Sequence, residues 1–191
     1  MRLFVAVDLS EDARQAIAAE QKRIAAALGD ARARLKWVRP DHMHLTLVFL
    51  GEVEDARVPV VVDAIGRDVD APPFDVTFAG AGVFPPDRAP RALWVGVGAG
   101  ASELTALQQE VARRVASLGV ALDDRPFSPH LTLGRWRTSR SSDGRRALAA
   151  VRQGAIARLR VTRATVYHSH LSSSGPTYTA LARANLTLGQ A

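Results

Sequence analysis

The chain of 191 residues contains no cysteine, which excludes disulfides, thiolate nucleophiles and cysteine-ligated metals. Long apolar runs are absent too. The first one, in MRLFVAVDLS, ends at Asp8 and is too short for the roughly 7–15-residue apolar core of a signal peptide. No later stretch approaches the roughly 20 apolar residues that a membrane helix needs. We therefore expect a cytoplasmic protein without membrane contact, and its 47% hydrophobic content is enough for a core.

Lysine is scarce. Of the 25 basic residues only Lys22 and Lys36 are lysines, and the formal net charge is +6. A basic surface attracts polyanions, nucleic acid above all, and the planar fork of arginine binds phosphate oxygens two at a time. A coding bias would explain the arginine content equally well, so the charge alone indicates a phosphate-bearing partner without deciding for one.

Histidine is also rare, yet two of the five histidines stand in identical tetrapeptides, HLTL at 44–47 and HLTL at 130–133. The surroundings repeat as well. A helix that begins after the N-cap Ser10 ends at Gly29, and a second helix ends at Gly119. The second helix carries apolar residues at helical spacing, namely Leu104, Leu107, Val111, Val115 and Leu118. Each helix precedes a proline-containing connection, an HLTL strand, a polar break and another helix, which indicates an internal duplication.

The remaining segments predict strands. Short β-rich runs follow the helices, and the tail segments ARLRVTRATVYHSHL and TYTALARANL predict one strand each, separated by a loop at SSSGP. We expect an α+β fold of two pseudo-symmetric lobes, each an antiparallel sheet with flanking helices, around a central groove. Since no linker divides the chain, residues 1–191 are predicted to form a single two-lobed domain.

Strand parity assigns the tetrapeptide side chains to two faces. His44 and Thr46 share one face of their strand while Leu45 and Leu47 share the other, and the same holds in the second copy. Each motif therefore anchors two leucines in a core and presents an imidazole beside a hydroxyl. If the lobes face each other, His44, Thr46, His130 and Thr132 converge, which is typical of a binding or catalytic pocket.

Two histidines suit a reaction that takes one proton and gives another, since an unperturbed pKa near 6.5 allows one ring to be neutral and one charged. In-line displacement at phosphorus has this requirement, and the threonine hydroxyls are suited to hydrogen-bond the non-bridging oxygens. No metal or other cofactor is needed. A 2',3'-cyclic phosphate fits best because its strained ring lowers the barrier.

Beyond the tetrapeptides, the segments MRLFVAVDL, HLTLVFLGEV, FPPDRAPRALWVGV, RPFSPHLTLGR and SGPTYTALA resemble the bacterial and archaeal RNA 2',3'-cyclic phosphodiesterases, historically also called 2'-5' RNA ligases, of the two-histidine phosphoesterase superfamily. The resemblance spans nearly the whole chain. It implies two antiparallel sheets around a groove, no cofactor, and hydrolysis of the cyclic phosphate to a 2'-phosphate. It also implies that His44 is the proton donor and His130 the acceptor, an order that the letters alone leave open. Where this family often has Gln and Arg, the chain has His168 and His170.

Three alternatives stay open. Ligation of 2'-5' bonds in the same groove needs no different residues. A non-catalytic module that binds RNA ends would use the same surface, although arginine and threonine would suffice for it. A metal hydrolase would use the His-x-His pairs, His42 with His44 and His168 with His170, yet neither pair has an obvious carboxylate ligand set. We expect RNA ends or cyclic nucleotides as partners, no obligate protein partner, and a monomer.

Residues five positions after each histidine are further candidates. Arg135 is predicted either to contact the substrate or to be a solvated strand end. Phe49 is placed in the core by parity, although an aromatic ring and a guanidinium at these equivalent positions would also suit stacking on a terminal base. Tyr178 is a candidate from the last strand. The three tryptophans, Trp37, Trp94 and Trp136, are interpreted as packing residues.

Overall fold

The computed structural model describes residues 1–122, 125–172 and 175–188, without the side chains of 31–33. These residues contain four α-helices and ten strands. The helices are α1 (Glu11–Leu28), α2 (Val58–Gly66), α3 (Ala101–Ala116) and α4 (Ser141–Ala150). The strands are β1 (Arg2–Asp8), β2 (Leu35–Trp37), β3 (His44–Glu52), β4 (Val69–Asp70), β5 (Phe74–Phe84), β6 (Ala92–Val97), β7 (His130–Trp136), β8 (Ala155–Val161), β9 (Arg163–Ser172) and β10 (Gly175–Thr187).

The strands form two five-stranded sheets. The first has the order β3-β1-β9-β10-β4 and the second the order β2-β7-β6-β5-β8. Neighbouring strands are antiparallel, apart from the short parallel pair of β10 with β4. This arrangement confirms the predicted α+β fold of two antiparallel sheets with flanking helices.

The helices α1 and α3 each follow a strand of one sheet and pack on the other sheet. The first sheet contains β1, but the helix that follows β1 contacts β8 and α4 on the second sheet. Conversely, β6 belongs to the second sheet, and the following helix, α3, contacts β3 and α2 on the first. The buried apolar residues of both sheets form one continuous cluster. On this interleaving we base the proposal that residues 1–191 form one domain.

Local signals place the helix ends. Ser10 accepts a hydrogen bond from the N–H of Ala13 at 3.3 Å and so caps α1, and Gly29 ends this helix with φ of +55°, a conformation that side chains disfavour. The second predicted helix is real but ends at Ala116, before Leu118. In the part of the chain that the structure describes, no helix is both long and apolar enough to cross a membrane.

The prediction of one strand over ARLRVTRATVYHSHL is wrong. The segment is two strands that meet at Thr162, with β8 at the edge of the second sheet and β9 inside the first. The Thr162 carbonyl accepts a hydrogen bond from the N–H of Leu186 in β10, so Thr162 already bonds to the first sheet and does not continue β8. Both strands carry the same β-type residues, so the letters did not show that the chain changes sheets here. Of the predicted SSSGP loop, Ser173 and Ser174 lie outside the described residues.

Candidate functional site

The two HLTL segments begin the two equivalent strands β3 and β7. Leu45 and Leu131 are 1% exposed, whereas the histidine and threonine of each motif are only partly buried on the opposite face. We call the face that carries the His-Thr pair the site face of each sheet. Cα atoms of β3 and β7 come within 8 Å of each other, so the two motifs lie on strands that meet where the sheets join.

A β-bulge in β3 changes its side-chain parity after the motif. Thr46 is opposite Ala6 and Val48 is opposite Val5, so Leu47 is the extra residue. A bulge places two residues opposite one and shifts every later side chain to the other face. The prediction that Phe49 belongs to the core is therefore wrong: its side chain is 54% exposed and stands on the site face, with its ring centroid 5.8 Å from that of Phe4.

The strand β7 has the same bulge at the equivalent position. Thr132 is opposite Trp94 and Gly134 is opposite Leu93, so Leu133 is the extra residue. Its carbonyl accepts hydrogen bonds from the N–H of Val38 at 2.9 Å and from Nε2 of the buried Gln21 at 2.8 Å. These two bonds satisfy a carbonyl whose regular pairing the bulge interrupts.

Arg135 follows this bulge as Phe49 follows the first. It is exposed and stands on the site face, because the bulge shifts it to the face of His130 and Thr132. Burial raises the pKa of the Tyr178 hydroxyl in the first sheet, and the positive charge of Arg135 opposes this rise. The two positions five residues after each histidine therefore both border the site.

Both catalytic-candidate imidazoles are held by the same contact. Nδ1 of His44 is 2.9 Å from the carbonyl oxygen of His42, and Nδ1 of His130 is 2.7 Å from the carbonyl oxygen of Ser128. A carbonyl can only accept, so Nδ1–H donates in each ring. Nε2 is thus the nitrogen free to exchange a proton with a ligand in both histidines.

Aromatic rings surround His44. Ring centroids of Phe4 and Tyr178 lie 4.8 Å and 5.2 Å from its imidazole, so Tyr178 reaches the site as its position suggested. Burial lowers the pKa of His44, while the hydrogen bond to the His42 carbonyl and then the charge of Asp8 raise it, and the pKa remains below its ordinary value. For Tyr178, burial has the opposite effect: it raises the pKa of the hydroxyl, and the charges of Arg135 and Arg2 oppose this rise.

His130 has its own aromatic neighbours in the second sheet. The ring centroid of Phe84 is 5.2 Å away and that of Trp94 5.9 Å. A side chain at Gly82 would overlap the Trp94 ring, with a Cβ only 2.0 Å from it, so this glycine is what lets the indole lie flat against β5. Trp136 is a packing residue as predicted, 8% exposed, but Trp94 also borders the site.

A carboxylate beneath the site was not found from the sequence. Asp8 ends β1 directly opposite His44. Its two oxygens accept hydrogen bonds from Thr165 Oγ1 at 2.8 Å and from the Tyr167 hydroxyl at 2.5 Å. Burial first, and then Asp8, raise the pKa of Tyr167 to about 12, so this phenol stays a donor at neutral pH. The sequence signal that could have identified Asp8 is its alternation with Phe4 and Ala6, but the sequence of one strand does not show which strand pairs with it.

The other histidines do not join the site. His168 is opposite the fully buried Leu3, so it belongs to the helix-covered face, and His170 shares its parity. Their ring centroids are 6.4 Å apart. His42 contacts Tyr178 from outside the motif, with centroids 5.3 Å apart. Among the residues that the structure describes, no group of three or more His, Asp or Glu side chains is placed to hold a metal ion.

Comparison with known proteins bears on this geometry. A family model for the 2'-5' RNA ligase superfamily matches residues 21–172. The chain belongs to this superfamily. It is 32% identical over 182 residues to an RNA 2',3'-cyclic phosphodiesterase of Methanothermobacter thermautotrophicus, and the matched region covers 94% of this chain and 95% of that protein.

Solved structures share the fold. The structure of TT0787 of Thermus thermophilus has a TM-score of 0.76 at 28% identity, over 97% of this chain and 98% of that one. E. coli LigT complexed with 3'-AMP has a TM-score of 0.76 at 30% identity, over the same shares of the two chains. These comparisons confirm the resemblance stated from the sequence segments.

Proposed function

We propose that the protein hydrolyses the 2',3'-cyclic phosphate end of an RNA, or a cyclic nucleotide, to a 2'-phosphate without a metal ion or other cofactor. One observation carries the proposal: both imidazoles are held through Nδ1 by the carbonyl two residues back, so each presents Nε2 beside a threonine. Membership of the superfamily and the named activity of the relatives support the same substrate class.

Each group has one step in this reaction. Nε2 of neutral His130 takes a proton from water, whose oxygen attacks phosphorus. The bond from phosphorus to O3' breaks as Nε2–H of protonated His44 gives its proton to that oxygen, leaving a 3'-hydroxyl and a 2'-phosphate. The hydroxyls of Thr46 and Thr132 donate to the non-bridging oxygens, where charge increases in the transition state. His130 then releases its proton to solvent and His44 takes one up, which restores both rings.

Arg135 and Phe49 are proposed to hold the terminal nucleotide. Both are exposed on the site face, at positions made equivalent by the two bulges. A guanidinium plane and an aromatic ring are the usual platforms for an unstacked base. The remaining expectations for partners, a monomer without an obligate protein partner, belong to this proposal as well.

Turnover tests the function directly. We expect the phosphorus NMR signal of a 2',3'-cyclic nucleotide to be replaced by that of a 2'-monophosphate, at the same rate in the presence of EDTA. Tight binding with an unchanged spectrum would favour a module that only binds RNA ends. Loss of turnover in EDTA, restored by zinc or manganese, would contradict the metal-free mechanism.

Ligation is the second candidate because the matching family carries that name. A 5'-hydroxyl that takes the place of water would attack the same phosphorus and give a 2'-5' bond with the same two proton transfers. Adding an RNA with a 5'-hydroxyl to the turnover assay and looking for a longer product distinguishes the two outcomes.

Removal of either base platform should weaken substrate binding. We expect Phe49→Ala and Arg135→Ala each to raise KM for a cyclic-phosphate oligonucleotide about tenfold, with a smaller change in kcat, since stacking contributes about 1–3 kcal/mol per base. Arg158→Ala, an exposed strand arginine of the same sheet as Arg135, is the matched control. Equal KM values in the wild type, Phe49→Ala and Arg135→Ala would show that these two side chains do not stack on the terminal base.

A further inference from the structure

The two halves of the site differ at one equivalent position. In the first sheet the residue directly opposite the motif histidine is Asp8. In the second sheet the residue directly opposite is Gly96. Both pairs precede the same bulge, so they occupy matching places in the two sheets. Side chains of directly opposed residues are about 5 Å apart at Cβ and interact.

We propose that Asp8 makes the two histidines unequal: its carboxylate, on the same face of the sheet as the directly opposed His44, favours the imidazolium form of that ring, so that His44 gives the proton. His130, opposite Gly96, is then the ring that takes one. This inference rests on the proposed function and decides an order that the two identical tetrapeptides leave open. Asp8 acts through His44 and is a positioning residue.

The carboxylate of Asp8 is fixed in place. Thr165, which is fully buried, and Tyr167 each donate one hydroxyl to a different oxygen. The ring of Tyr167 is in turn stacked on Phe4, with centroids 5.3 Å apart, and Phe4 is the ring that lies against His44.

The need for such a carboxylate follows from the burial of His44. Removal from water disfavours the imidazolium and lowers the pKa of His44, so an unassisted ring would lose its proton too readily to serve as an acid near neutral pH. The hydrogen bond to the His42 carbonyl opposes this loss first, and the charge of Asp8 second. A ring with a moderately low pKa that still carries its proton is a stronger acid toward O3' than an ordinary histidine.

Other charged and titratable groups surround this pair. The His42 side chain, from the segment before β3, acts slightly against the imidazolium form of His44, whereas its carbonyl favours that form. Tyr178 from β10 contacts the ring of His44. Arg135 and Arg2 act on Tyr178. On the far side of Asp8, Arg183 and Arg14 act on Tyr167. An Asp8→Asn substitution leaves all of these groups present and removes one charge.

The test compares pH profiles of kcat/KM. For Asp8→Asn we expect the limb of the profile that reports the pKa of the acid to move down by about one pH unit, the size expected for loss of an adjacent opposite charge. Activity at pH 8 should then fall about tenfold while activity near pH 5.5 changes little. Asp8→Glu, which keeps the charge, should restore most of the shift.

Tyr167→Phe is the matched control, because it removes one hydrogen bond to Asp8 and retains the charge and the ring. We expect it to lower activity at all pH values and to leave the limb that reports the acid in place. A limb that stays in place in Asp8→Asn as well would overturn the proposal. A gain of activity near pH 5.5 with no loss at pH 8 would show that Asp8 acts on a base, which would overturn the assignment of His44 as donor.

An NMR titration separates this inference from the proposed function. The imidazole C–H signal of His44, identified by its loss in His44→Ala, is expected to titrate at lower pH in Asp8→Asn, with the His130 signal unmoved. This measurement needs no turnover. If the wild type did not hydrolyse cyclic phosphates, the proposed function would be refuted, and the titration would still test the effect of Asp8. An unshifted His44 signal in an active enzyme would refute the inference about Asp8 alone.

Discussion

Replacing His44 or His130 with alanine is expected to lower kcat for a 2',3'-cyclic phosphate by about 10²–10⁴-fold, because each ring supplies one proton transfer. The two losses should not add in the double variant, since the two groups act in one step. Thr46→Val and Thr132→Val should cost less, as each removes one hydrogen bond to the phosphate. Single-turnover assays with a cyclic-phosphate oligonucleotide give the chemical step directly.

The control for these variants is His168→Ala, which removes a histidine from the helix-covered face of the same sheet. We expect it to keep wild-type turnover. Near-normal turnover by the His44→Ala protein would contradict the two-histidine mechanism, whatever the behaviour of His130→Ala.

Replacing Asp143 with alanine should cost far more stability than the loss of a surface ion pair, about 2–3 kcal/mol in the free energy of unfolding. Asp143 is 2% exposed. It accepts hydrogen bonds from Arg34 Nη2 at 3.0 Å and from the N–H of Arg140 at 2.9 Å. It thereby joins the start of α4 to the segment before β2, and alanine leaves both donors without this partner.

The matched control is Asp63→Ala, which breaks an ion pair with Arg67 whose side chains are both more than 70% exposed. Such pairs contribute about 0–1 kcal/mol. Urea denaturation of the two variants and the wild type gives the comparison. Equal losses in the two variants would contradict the structural role assigned to Asp143.

The pH dependence of the Asp143 effect has a definite sign. Burial raises the pKa of Asp143, but the Arg140 N–H and Arg34 lower it, and the result lies below the ordinary value. A carboxyl with a lowered pKa in the folded state stabilises the protein above its unfolded pKa, near 3.9, and loses this contribution as the pH falls through the folded value. The difference between wild type and Asp143→Ala should therefore shrink below about pH 4.

Much of the fold was predictable from the sequence because its signals are local. The cap at Ser10 and the glycine after α1 depend on neighbouring residues alone, as does the burial of Leu45 and Leu131 opposite the histidines. The duplicated order of helix, connection and strand is likewise a linear feature. These predictions needed periodicity and capping, with no information about which strands pair.

The errors have a common cause in strand pairing. Phe49 was assigned to the core because parity was carried through a strand that contains a bulge, and a bulge is defined by the partner strand. The tail was taken as one strand because β8 and β9 have the same composition, although they belong to different sheets. Neither the partner nor the sheet of a strand can be determined from its own residues.

The sequence by itself determined the family resemblance, the two equivalent His-Thr pairs and the residue types that can move protons and hold a phosphate. Only the tertiary structure decided that Phe49 and Arg135 share the face of those pairs, and that His44 is opposite Asp8 while His130 is opposite Gly96. The physical reason is that register arises from hydrogen bonds between segments distant in the chain. Two identical tetrapeptides therefore acquire different surroundings once each is paired with its own neighbour.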